Sequence, residues 1–235
     1  GSNSFISDTG TGDLYIAGSS NVYIRDASNG QVWFQGTSGG VNLRYQDNVK
    51  ITTTATGIDV TGTVNGIPLF SDVSNNSMYT HDVSGTDSTA AGNTAYGFSA
   101  LAAVTGGDFN TTIGHNAGIA INSGSNNTLM GYASGDALTT GGDNVAIGYA
   151  ALSVEDTTGK ATAIGYKALN AQNAAADSYN VAVGFEAGLL VTTGTNNVLI
   201  GTNTGDGFTQ GIDNVAVGGS ALSAVNAGNR SVAIG

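Results

Sequence analysis

His81, His115 and the adjacent pair Glu155-Asp156 are the residues of this 235-residue chain whose types suit metal binding or acid–base chemistry. A zinc centre needs ligands that converge, as in His-x-x-x-His, and neither histidine has such a neighbour. A glycosidase needs two carboxyls facing one cleft about 5 to 9.5 Å apart. Glu155-Asp156 lies instead in a turn-like stretch, where solvated carboxylates are the default. Asp143 and Asp213 hold equivalent positions four repeats apart, about 19 Å at strand spacing, so one chain cannot bring them to one ion. Three copies of either Asp around a threefold axis would form a ring that binds a cation or is simply a solvated rim. No triad spacing appears, and the chain has no cysteine for thiolate or disulfide chemistry. The expectation is a protein with no catalytic residue, cofactor or metal, hence not an enzyme.

Asparagine and glycine, by contrast, recur with a fixed spacing. Asn93, Asn110, Asn127, Asn144, Asn180, Asn197 and Asn214 each stand four residues before Gly97, Gly114, Gly131, Gly148, Gly184, Gly201 and Gly218. Ala161 and Ser231 take the asparagine position before Gly165 and Gly235, which makes nine copies separated by 17 residues, except for one gap of 19 before Gly184. Seventeen residues are too few for a helical repeat of roughly 33 or more, but they suit two short strands and two turns. The asparagines are read as a ladder whose amides hydrogen-bond between coils and cap turn backbone, a scaffold role rather than a ligand role. The recurring glycine fits a turn with φ > 0 or a close approach of coils, and Gly107, Gly124, Gly141, Gly194, Gly211 and Gly228 fit a second turn.

Between each Asn and Gly, β-branched or apolar residues alternate with a smaller one, as in Val145-Ala146-Ile147 and Val181-Ala182-Val183. Both strand faces are therefore apolar, and a single thin coil can cover only one of them. The architecture expected is all-β: a parallel β-solenoid or β-roll over 93–235, about 40 Å long at strand spacing, whose second apolar face is covered by partner chains. The row Phe98, Tyr132, Tyr149, Tyr166 and Phe185 suggests carbohydrate stacking or, more simply, rings stacked between coils to stiffen a rod. Residues around Asn110–Asn144 recur around Asn180–Asn214 at an offset of 70, a duplicated four-coil block, and the extra two residues of the long coil are expected to bulge within 171–178. That bulge is a natural place for specificity.

Upstream, 1–68 reads as a strand-rich module, with Leu14–Ile16, Val22–Arg25, Val32–Phe34, Val41–Tyr45, Val49–Thr54 and Ile58–Thr61 as strands and Asn29-Gly30 and Gly39-Gly40 as hairpin turns. Residues 69–92 read as a polar connector. A net charge of −11 argues against nucleic acid and anionic membrane surfaces as partners. No apolar run is long enough to insert in a membrane. The chain opens Gly1-Ser2 without methionine and stops as the ninth phrase closes, so it is read as a cut length of a longer fibre, truncated at both ends.

The stretches from Gly40 to Lys50 and from Thr52 to Val64 resemble a segment of tail-fibre proteins of tailed, especially marine, bacteriophages. Asn144-Val145-Ala146-Ile147-Gly148 and Asn180-Val181-Ala182-Val183-Gly184 are similar to repeats of such fibres and of the heads of trimeric autotransporter adhesins. The resemblance implies a homotrimer of left-handed parallel β-rolls in an extracellular virion fibre. Its implied partners are sister chains, other tail proteins and a bacterial surface glycan or protein, with host attachment as its function. The alternatives are a bacterial adhesin head, a polysaccharide-depolymerising tailspike, and an ice-binding solenoid. The last is disfavoured because Thr94, Thr111 and Thr128 give way to Val181, Val198 and Val215.

Overall fold

The structure, a computed structural model, describes residues 22–25, 32–37, 40–45, 48–53, 58–60, 63–64, 67–68, 70–72, 77–79, 89–224 and 228–235. The chain divides into two compact units, 1–66 and 67–235. Leu14–Ile16, the Asn29-Gly30 turn and His81 lie outside the described residues.

The first unit holds five strands, β1 (Val22–Arg25), β2 (Val32–Thr37), β3 (Gly40–Tyr45), β4 (Asn48–Thr53) and β5 (Ile58–Val60), paired antiparallel in sequence order. Thr37 faces Gly40 and Tyr45 faces Asn48 across two-residue connections, the shortest links a hairpin allows. Short strands β6 (Thr63–Val64) and β7 (Ile67–Pro68) follow.

The second unit is a parallel β-solenoid. Strands β10 (Thr94–Tyr96), β11 (Thr111–Ile113), β12 (Thr128–Met130), β13 (Val145–Ile147), β14 (Thr162–Ile164), β15 (Val181–Val183), β16 (Val198–Ile200), β17 (Val215–Val217) and β18 (Val232–Ile234) stack in one sheet. Each residue pairs with its equivalent in the next coil, Val145 with Thr162 and Ile147 with Ile164, and the 19-residue coil keeps this register at Thr162 and Val181. Two features differ from the sequence expectation. Each coil contributes one three-residue strand rather than two, and the rest of the circuit is turn. The connector is also partly structured: β8 (Phe70–Asp72) and β9 (Ser77–Tyr79) extend the same sheet, with Met78 pairing beside Thr94. The polar composition of 69–92 concealed these two short strands.

The turns are nonetheless bonded from coil to coil: Leu101 N–H donates to Ala117 O (3.0 Å), Asn116 N–H to Phe98 O (3.0 Å), and Asn122 N–H to Thr139 O (2.9 Å). Corners recur at three positions per coil, and they place twenty non-glycine residues at φ between 48° and 63° among the described residues. Within the strand the middle residue points inward, since Ala95, Leu129, Ala146, Ala163, Ala182, Leu199 and Ala216 are fully buried. The interior shares its volume between the strand, the corner and the neighbouring coils. Where Leu129 and Leu199 fill it, Gly135 and Gly205 stand at a corner, and a Cβ there would lie 2.9 and 2.7 Å from the leucine methyls. The coils of Ala95, Ala146 and Ala163 instead bury Leu101, Leu152 and Leu169 at that corner, whereas the Ala182 coil keeps Gly188 there, with methyls of Leu169 and Leu199 from the coils on either side 2.9 Å from where its Cβ would stand.

Candidate functional site

The asparagine side chains point into the coil and run parallel to its axis. Asn110 donates its backbone N–H and its Nδ2 to Asn93 Oδ1 (2.8 and 3.1 Å), while Nδ2 also donates to Gly124 O of the following coil (2.9 Å). Asn127 repeats these bonds to Asn110 and Gly141, and Asn197 and Asn214 repeat them to Asn180 and Gly211 and to Asn197 and Gly228. Asn144 takes the bond to Asn127 through its backbone and turns Nδ2 toward Thr158 O at 3.4 Å. Asn93, Asn110, Asn127, Asn144, Asn180, Asn197 and Asn214 are all buried, so each amide satisfies backbone that water does not reach.

Ala161 interrupts the ladder, and a second polar network occupies the interior beside the gap. Glu155 is fully buried, which corrects its reading as a solvated turn carboxylate. Its Oε1 accepts from Thr158 Oγ1 (2.5 Å) and Thr158 N–H (3.3 Å), and its Oε2 accepts from Gln172 Nε2 (3.0 Å) and Ala174 N–H (3.4 Å). Gln172 Nε2 also donates to Ser178 Oγ (2.8 Å), and Gln172 Oε1 accepts from Asn180 Nδ2 (2.9 Å), which starts the second ladder segment. The 19-residue coil is therefore specialised inside as well as out, with Ala175 and Ala176 exposed at its bulge. Its neighbour Asp156 lies nearer the surface and accepts from Thr139 Oγ1 (2.6 Å), so the adjacent acidic pair does not share a cleft.

Gly97, Gly114, Gly131, Gly148, Gly165, Gly184, Gly201 and Gly218 have φ between 126° and 142°, and a Cβ on each would lie within 2.1–2.5 Å of the next coil's glycine carbonyl oxygen. Both requirements named from sequence, positive φ and close approach, meet at this one position. The second glycine series has close approach alone: a Cβ on Gly124 would stand 2.3 Å from Gly141 O.

Outside the coil, the strands present Thr or Val and then Ile, Val, Met or Tyr, with Tyr96, Met130 and Ile200 at 53%, 42% and 40% exposure. Beside this face runs a column of six rings: Phe98, His115, Tyr132, Tyr149, Tyr166 and Phe185, with centroids 5.0–5.6 Å apart. The last four are stacked within 13° of parallel. His115, considered from sequence as a metal ligand or acid–base group, is a member of this column, and its spacing of 17 from Phe98 and Tyr132 was the available signal. Among the described residues, no group of three or more His, Cys, Asp or Glu side chains is placed to hold a metal ion. Across the whole outward face, from Thr94 to Ile234, no Asp, Glu, Lys or Arg occurs in the strand or ring columns.

Two carboxyls are poorly served, since Asp206 Oδ1, at the position equivalent to Asp136, is likewise buried without a hydrogen-bond partner. Asp136 Oδ1 is buried without a hydrogen-bond partner, and desolvation pushes its carboxyl above the ordinary carboxylate range. A raised folded-state value means the protonated form suits the fold, so this contribution is full at pH below the unfolded value and is lost as pH rises through the folded one. Asp136→Asn is expected to raise the urea midpoint at neutral pH, by an increment that disappears in acid. An equal increment at both pH values would contradict desolvation as the cause.

Compared with protein-family models, with curated proteins and with solved structures, the chain matches none.

Proposed function

We propose that this chain is a structural and adhesive segment of an extracellular virion fibre, the tail fibre of a tailed bacteriophage, in which three copies assemble through their outward strand faces and contribute to host attachment. One observation carries the reading: the uncharged face formed by the strand and ring columns of nine stacked coils. At about 4.8 Å per coil and about 3.3 Å per residue, that face covers roughly 500 Å², a size at which exposed apolar surface marks an interaction site. Burying it contributes about 12 kcal/mol per chain before the cost of association. Sister chains carrying the same face in the same order are the simplest cover, and their identity gives a symmetric solution. A bacterial adhesin head shares this assembly logic and differs in what anchors it. The depolymerase reading loses its candidate carboxylate pair, because Glu155 is enclosed by donors inside the coil.

Sedimentation equilibrium should give three times the chain mass of 23.3 kDa. Ile164→Asp places one charge at the middle of the face without touching the interior. It should yield a monomer with unchanged β circular dichroism. A wild-type protein that sediments as a monomer sinks the assembly, and a variant that remains trimeric places the contact elsewhere.

A further inference from the structure

The 70-residue duplication separates exposed positions whose chemistry is kept from those that have drifted. In the ring column His115 corresponds to Phe185, but Tyr132 and Tyr149 correspond to Thr202 and Gly219, so the aromatic character is kept at one position and lost at two. At the corner immediately before each ladder position it is retained throughout: Phe109, Asn126, Asp143 and Lys160 correspond to Tyr179, Asn196, Asp213 and Arg230. All eight are exposed. Their φ values lie between 51° and 63°.

Asn and Asp suit such a left-handed corner, but a bulky ring or a long basic side chain is a costly choice there. Local conformation therefore explains the middle two residues of each set and leaves the outer two unexplained. The backbone holds both sets in the same way, with Asn126, Asp143 and Lys160 N–H donating to the preceding coil at 2.9, 3.0 and 3.1 Å, and Asn196, Asp213 and Arg230 at 2.8, 3.1 and 3.0 Å. The side chains of these six residues, and that of Phe109, whose N–H donates to Ala91 O at 2.9 Å, are thus carried on a fixed base.

We propose that each block carries one saccharide-binding stripe, giving two equivalent subsites per chain about 19 Å apart. The inference rests on the adhesive reading and gives it a location. Phe109 lies over Gly92 and remains 64% exposed, and Tyr179, with Lys160 Nζ 5.3 Å from its ring centroid, remains 52% exposed, so each keeps part of its ring surface for a pyranose. The neighbouring amide and carboxylate accept and donate to ring hydroxyls, and the basic residue adds a donor. Lys160 is already positioned by Asp177 and Tyr179 Oη, and Arg230 Nε stands 3.6 Å from Asp213 Oδ2. The net charge of −11 favours a neutral glycan over an anionic one. The six-ring column is a weaker candidate, because its stacked rings largely occupy each other's faces.

The test is surface plasmon resonance of the full chain over immobilised dextran, mannan and galactan, using wild type, Phe109→Asn, Tyr179→Asn, the double variant and Val154→Ala. Asparagine is chosen because it suits the corner. Wild type should bind at least one of the three surfaces. Each single corner variant should weaken binding about tenfold and the pair about a hundredfold, through the loss of one contact and then of bivalency. Val154→Ala, at an exposed position outside both the assembly face and the stripes, should bind as wild type does. Binding to none of the three, or a double variant that binds as wild type does, overturns the proposal. Sedimentation of the same samples separates the two claims: a trimer that does not bind removes the saccharide stripes alone, and a monomer that binds removes the trimer alone.

Discussion

Gly148→Ala should unfold the coils on either side of it and cost about 4 kcal/mol or more, among the largest effects a single methyl can have in this chain. The added Cβ would stand 2.3 Å from Gly165 O and 2.6 Å from Gly165 C, both backbone atoms of the next coil, at a φ of +134° that L-residues avoid. Neither atom can rotate away, so the coils must separate. Separation stretches every coil-to-coil bond at that level, including Val145 N–H to Ala161 O (2.9 Å) and Leu152 N–H to Ala168 O (3.0 Å). Gly219→Ala is the matched control, since a Cβ there meets nothing within 4 Å. Urea unfolding followed by circular dichroism reads the difference. A midpoint for Gly148→Ala equal to that of Gly219→Ala would show that the glycine contact does not set the coil spacing.

The second large effect is expected at Asn127. Truncation to alanine removes the acceptor for Asn144 N–H (3.1 Å) and both donations from Nδ2, to Asn110 Oδ1 and Gly141 O (3.0 Å each). These groups are buried, so the loss is about 3–5 kcal/mol of unmet hydrogen bonding rather than the smaller net value of exposed bonds. Ala161 shows how the protein tolerates alanine at this position. There Gln172 reaches from its own coil to Asn180 Nδ2, and Glu155 anchors Gln172 in turn. Asn127 has no such substitute, since its coil carries Leu138 where the long coil carries Gln172. Differential scanning calorimetry of Asn127→Ala should therefore show a lowered midpoint. Native stability would mean that water enters the coil and replaces the amide.

The period, the strand position and the requirement for glycine were legible because they depend on spacing alone. A three-residue apolar phrase repeated every 17 residues admits only a stack of strands, and Val145 beside Thr162 follows directly. Which apolar face is the interior was not legible from alternation. It is decided by volumes outside the phrase, since Leu152 and Leu138 come inward from the turns and leave room in the strand for Ala146. Glu155 was misread for a related reason. A carboxylate in a turn-like sequence is usually solvated, but here Thr158, Gln172 and Ala174 surround it with donors from the 155–174 segment, a closure that exists only once the coil has formed. The left-handed corners were equally hidden, because Leu101, Phe109 and Lys167 carry no signal of φ > 0.

The asparagine ladder also has a mechanical meaning. Its hydrogen bonds lie along the axis, so tension applied to the ends pulls them apart end-on, one coil interface at a time, rather than shearing many together. Each coil released would pay out about 50 Å of contour for about 5 Å of folded length, a large extension for a modest local loss. The interface above Ala161 lacks an asparagine side chain to hold the next coil, and the force there passes through Gln172 and Asn180. Under load the solenoid would part first beside its 19-residue coil, which makes that irregular turn a built-in fuse between two more uniform lengths of spring.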